Sequence, residues 1–158
     1  MKWDSPEWRE GRDKIISQWF LGDIAAIEFL RLLSSATELW DDLIDGDKRP
    51  LPQEISQVFT DLLVGLPNNP FYMQHRQHLT PLIIQAINSW QVANVLETGA
   101  PNERALAYTL RNMDIQIVQA IVYIIQGPAR AREIAPMLWR LFAADQDDAA
   151  EWIFGAHK

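Results

Sequence analysis

The run Glu38-Leu39-Trp40-Asp41-Asp42-Leu43-Ile44-Asp45-Gly46-Asp47 crowds carboxylates into a short stretch of helix-forming sequence. At about 100° per residue, Arg31, Ser34, Glu38, Asp42 and Asp45 share one helical face, with Asp41 at its edge. Phe29, Leu32, Leu33, Ala36, Leu39, Trp40, Leu43 and Ile44 cover the opposite arc, so the helix is amphipathic. Asp41, Asp42 and Asp45 fall in its last turns, where the macrodipole disfavours each carboxylate by about 0.3–1 kcal/mol. Repulsion at i,i+3 and i,i+4 spacing adds a few tenths more. Something positive must offset this: Lys48 or Arg49 downstream, an arginine from another helix, or a divalent cation. The cluster therefore reads either as a solvated or arginine-paired face, or as a cation site of Glu38, Asp41, Asp42 and Asp45. Its hard oxygen donors suit Mg²⁺ with a substrate diphosphate.

A second pattern lies further along. Tyr108, Asn112, Gln116, Gln119, Tyr123 and Gln126 fall within about 40° of one line on a continuous helix. Leu110, Ile115, Ile117, Val118, Ile121, Val122, Ile124 and Ile125 make that helix apolar on nearly every other side, which predicts a central position. A buried amide left unpaired costs about 1–3 kcal/mol. Tyr108, Asn112, Gln116, Gln119 and Tyr123 must therefore face solvent, bond neighbouring helices, or line a ligand cleft.

Other chemistry is thin. His75 and His78 stand at i,i+3 without an evident third ligand, and read as surface residues. There is no Gly-x-Ser-x-Gly elbow, no glycine-rich phosphate loop and no His-Glu-x-x-His. The tryptophans, Trp3, Trp8, Trp19 and Trp152 among them, read as packing residues, with those near the ends also suited to covering a partner surface.

Asp41-Asp42-Leu43-Ile44-Asp45 resembles the aspartate-rich motif of isoprenoid synthases, in which a bundle helix presents carboxylates to Mg²⁺ and a diphosphate. The resemblance covers five residues; Asn112-Met113-Asp114 is a poor echo of that family's second motif, and the chain is about half the expected length. All-α nucleoside triphosphate pyrophosphatases are closer in size, but their paired acidic motifs are incomplete here. A broader resemblance rests on Leu39 to Lys48, then Asn69-Pro70-Phe71-Tyr72, then Ala107-Tyr108-Thr109-Leu110-Arg111. These strings are similar to small uncharacterised all-helical proteins of phages and prophages, which implies a bacterial or viral intracellular setting and no particular reaction.

The elements that must position these residues are plainly punctuated. Ser5-Pro6, Asn69-Pro70 and Thr80-Pro81 each pair a capping side chain with proline at the first helical position. Gly46, Gly65, Gly99 and Gly127 mark stops, with Pro50, Pro67, Pro101 and Pro128 close behind. The punctuation and periodicity predict helices over 6–19, 23–45, 53–64, 70–78, 81–97, 102–126, 130–143 and, briefly, 147–154. Pro136 should kink the seventh or delay its start. No segment reads as a strand. The expected fold is a single all-α domain over 1–158, a bundle of about seven to eight helices with two long central ones, 23–45 and 102–126.

Composition bounds the function classes. At 158 residues with 48% hydrophobic content, the chain can bury a full core without staples. It has no cysteine, which removes disulfides, thiolate metal sites and cysteine nucleophiles. Neither a signal core nor an apolar run of about 18 residues is present, so a cytoplasmic location without membrane insertion is expected. The net charge of −7 argues against a nucleic-acid surface, because Arg104, Arg111, Arg130, Arg132 and Arg140 are scattered among acids. The leading expectation is a non-enzymatic accessory protein without a cofactor, acting through a protein partner or as a homo-oligomer. The alternative is a Mg²⁺-dependent enzyme or binder of a diphosphate compound.

Overall fold

The computed structural model describes residues 6–46, 48–143, 150 and 153–155, the side chains of residues 6–9, 45 and 142–143 excepted. Asp47, Trp3, Trp152, His157, the cap at Ser5 and the side chain of Trp8 lie outside this set, as does most of the helix expected at 147–154. The protein is all-α: 86% of the described residues are helical and none is in a strand. Six helices of ten residues or more carry the fold among the described residues, rather than the seven to eight expected. The chain forms two compact units, Met1–Arg76 and Gln77–Lys158.

The first unit contains α1 (Pro6–Trp19), α2 (Ile24–Asp45), α3 (Pro52–Thr60), a π-helical turn (Asp61–Gly65), the single turn α4 (Leu66–Asn68) and the start of α5 (Pro70–Leu96). Helix α1 ends in a Schellman motif: the Gly22 N–H donates to Ser17 O (2.9 Å) and the Leu21 N–H to Gln18 O (3.2 Å). Leu21 takes the left-handed position usually given to glycine, at φ 52°. Asp23 then caps α2, its carboxylate accepting from the Ala26 N–H at 3.0 Å. Helix α2 buries Ala26, Phe29, Leu32, Leu33 and Leu39, each large apolar side chain stabilising by about 1.5–3 kcal/mol. Phe29 stacks on Tyr72, with centroids 5.6 Å apart, and meets Phe71 at 6.2 Å.

Asn69 joins the two ends of this packing. Its Oδ1 accepts from the Tyr72 N–H and its Nδ2 donates to Ala25 O on α2, both at 2.9 Å. The expected Asn69-Pro70 start is therefore a helix cap and an inter-helix tie at once.

The second unit holds the rest of α5, then α6 (Pro101–Arg111), α7 (Ile115–Gln126) and α8 (Pro128–Ala143). Ile115, Ile117, Val118, Ile121 and Val122 of α7 are buried, and α7 packs on α8, which buries Ala131, Ile134 and Leu138. Gly127, at φ 87°, turns the chain between them. Glu103 closes the start of α6 by accepting from the Ala100 N–H at 2.8 Å.

Several helix boundaries differ from expectation. Thr80-Pro81 starts no helix, because α5 runs unbroken from Pro70 to Leu96 with Pro81 inside it. Buried Leu79 on one side of the proline, and Ser89 and Ala93 on the other, anchor the helix across it. The expected helix 102–126 is two helices, α6 and α7, so it is not the second long element; α5, at 27 residues, is the longest. Between them, Asn112, Met113, Ile115, Gln116 and Ile117 donate to carbonyls three residues back, a 3₁₀ pattern. Asn112 Nδ2 takes Tyr108 O at 2.8 Å, the local competition by which asparagine interrupts helices. Gly65 ends no helix either. It lies in the π turn beside Leu32, at a position where a Cβ would make ordinary van der Waals contact. Pro67 has no N–H for Leu63 O, and the wider turn, with the Leu66 N–H on Asp61 O, accommodates that loss.

Candidate functional site

The acidic end of α2 is built around a local counter-charge. Lys48 Nζ lies 3.8 Å from Asp42 Oδ2, and Gly46, at φ 71°, closes the helix with its N–H on Asp42 O. Glu38 is exposed and Asp41 is half-buried, while the Asp45 side chain lies outside the described residues. Arg31, on the same face, pairs with Glu28 (2.7 Å) and reaches Asp61 at 3.7 Å. This bidentate contact holds the Glu28 carboxyl below its ordinary range. Among the described residues no three carboxylates or imidazoles converge as a cation would require. His75 packs its ring on Phe71, centroids 4.7 Å apart, and His78 is exposed.

The polar stripe is divided by the break in the helix. Tyr108 lies on α6, Asn112 in the turn with its amide on the Tyr108 carbonyl, and Gln116, Gln119 and Tyr123 on α7. On α7 the three keep one line opposite the buried isoleucines, and Tyr123 is exposed. Of the stripe on α7, Tyr123 faces solvent while Gln116 and Gln119 are half-buried.

A third feature draws on residues that the sequence reading passed over. In the second unit, Pro81, Ile84, Gln85, Asn88, Ser89 and Val92 of α5, with Leu110 of α6, line an open groove of about 310 Å³. None of the five stripe residues lines it. Its walls carry large apolar side chains left in solvent, Ile84 at 53% and Val92 at 49%; Val95, one turn further along α5, is 73% exposed. Leu106 of α6, one turn before Leu110, is 57% exposed. From Gln77 to Leu96 there is no Asp, Glu, Lys or Arg, so the α5 side of the groove is uncharged.

The two helices flanking the groove are fixed to each other by Arg111. Its Nη2 donates to Asn94 Oδ1 at 3.0 Å and to Glu97 Oε2 at 2.6 Å, and its guanidinium lies 5.4 Å from the Trp90 ring. Arg104 holds the other end of α6, donating to Gly99 O at 2.6 Å and Ile153 O at 2.7 Å. Two of the five scattered arginines are therefore joints of the scaffold. The lining of this groove is uncharged and includes the amides of Gln85 and Asn88. A groove in the first unit is lined by Pro52, Gln53, Ser56, Gln57 and Thr60, four of the five being polar residues.

The signal for the α5 face was available in the sequence, as apolar residues at 84, 92 and 95 within a charge-free run. No helix among the described residues is long and apolar enough to cross a membrane. No protein-family model, curated protein or solved structure matches the chain.

Proposed function

We propose that the chain is a non-enzymatic interaction protein that recognises another protein through the uncharged α5–α6 groove. The observation that carries this reading is that Ile84 and Val92, both large, apolar and about half exposed, line one groove with Leu110, while Val95, a turn further along α5, is 73% exposed. Scattered exposed apolar residues are ordinary, but a clustered row beside a concave surface is where soluble proteins dock. An amphipathic helix laid in such a groove would bury the row and meet the amides of Gln85 and Asn88. The likeness to phage and prophage helical proteins supports an accessory role of this kind.

Site-specific photo-crosslinking tests the reading. A benzophenone amino acid placed at Val95 should join the chain to a protein of defined mass in the cells that make it. The same group at Leu63, equally exposed at 73% in the first unit, should not. Equal adducts from both positions, or none from Val95, would exclude the groove as the recognition surface.

A further inference from the structure

The exposed face of α5 is symmetric about one residue. Counting from Asn88, Ile84 and Val92 lie four residues to either side, and Pro81 and Val95 seven. Gln85 and Gln91 lie three to either side. At 100° per residue all of these fall within about 60° of Asn88, and all are exposed. When two copies of one helix pair antiparallel across a two-fold axis through residue 88, each residue meets its mirror position on the other copy. Ile84 then packs against Val92 of the second copy, Pro81 against Val95, and Gln85 against Gln91. Asn88 meets itself, and a carboxamide carries both a donor and an acceptor, so two facing copies satisfy each other.

The charge pattern leaves this face open to self-association. Each chain carries −7, so most approaches between copies are repulsive. The α5 face carries no charge from Gln77 to Leu96 and removes that penalty where the helices meet.

Resting on the proposed recognition face, we propose that its occupant is a second copy of this chain, docked antiparallel with the two-fold axis at Asn88. The full chain has no cysteine, so introduced thiols report on single positions. Asn88→Cys treated with a short bis-maleimide should give a covalent dimer in high yield. Ile84→Cys alone should not, because its two copies stand about 12 Å apart along the helix axis. Mixing Ile84→Cys with Val92→Cys should restore the adduct.

Sedimentation equilibrium of the purified chain, from low micromolar to several hundred micromolar, supplies the second readout. The wild type should dimerise reversibly, and Ile84→Lys should weaken dimerisation by about tenfold or more, since it buries an unpaired cation. Ile84→Lys/Val92→Glu should recover most of the loss through two inter-copy ion pairs, which misfolding would not reverse. A wild type of single-chain mass throughout, or equal crosslinking at 84 and 88, overturns the second copy as occupant. If Val95 photo-crosslinks to a different protein in that case, the recognition face survives without self-association; if it does not, both readings fall.

Discussion

Replacing Asn69 by alanine removes two hydrogen bonds held by one buried side chain, which is only 5% exposed. The lost cap on the Tyr72 N–H is worth about 1 kcal/mol, within a range of roughly 0.5–2. The lost donor removes a second bond on Ala25 O, which keeps its partner within α2, at about 0.5–1.5 kcal/mol. Together they predict a loss of about 1–3 kcal/mol for Asn69→Ala. Asn69→Asp separates the two contributions: it keeps an acceptor for Tyr72 and suits the helix N-terminus, but it turns a carboxylate toward Ala25 O. It should lose at least as much as the inter-helix bond is worth, despite an intact cap. Urea denaturation of the three proteins measures this, with hydrogen exchange at Tyr72 and its neighbours reporting on the cap itself. A loss under about 0.5 kcal/mol for alanine, or a wild-type curve for aspartate, would mean that Asn69 does not tie α5 to α2.

Three further outcomes are expected. Leu21→Gly relieves about 1–2 kcal/mol of left-handed strain, less about 0.4–1 kcal/mol for the freer unfolded chain, so denaturation should show a net gain of about 0.5 kcal/mol. Glu28 has a folded pKa below its ordinary 4.5, so its contribution is fully present above pH 4.5 and fades as pH falls through the lower folded value. Because both partners are about half exposed, the effect is a few tenths of a kcal/mol, and Glu28→Gln should remove that much of the acid-side slope in a pH series of melts. Melting in MgCl₂ should match melting in NaCl of equal ionic strength, since among the described residues no three carboxylates converge as a cation would require. A Mg²⁺-specific rise of several degrees, lost in Asp42→Asn/Asp45→Asn, would instead establish the diphosphate-metal alternative, because a site filled to a hundredfold excess over Kd adds about 2.7 kcal/mol.

Where a local signal and the tertiary packing agree, the fold is legible from residues alone. Asn69-Pro70 reads as a helix start because the cap and the preset φ act within one turn. Gly46 and Gly127 read as stops because both need a positive φ. Thr80-Pro81 carries the same local signal as Asn69-Pro70 and means the opposite, because buried Leu79 and Ala93 hold the helix on both sides of the proline. The division at Asn112 is the reverse case. Apolar periodicity continues through it, but the asparagine amide captures the Tyr108 carbonyl and shifts the pattern to 3₁₀. The acidic cluster was legible as residues on one face, while its nearest cation, Lys48, depends on how the chain turns after Gly46. The α5–α6 groove was not legible. The helix over 81–97 was expected, but that Leu110 of α6 lies beside it depends on tertiary packing.

Recognition through the α5–α6 face is tested most directly by affinity capture with the full chain in the cells that produce it, followed by reconstitution of the retained species from purified components. Val92→Glu places a charge in the groove wall, and Leu63→Glu places the same charge on an equally apolar, exposed site in the first unit. If the face is the recognition surface, Val92→Glu lowers the retained species, whether another protein or an untagged copy, by about tenfold or more, as expected for an unpaired charge at a docked surface. Leu63→Glu should retain it at the wild-type level. Equal retention by all three proteins, or loss with Leu63→Glu instead, would contradict the account.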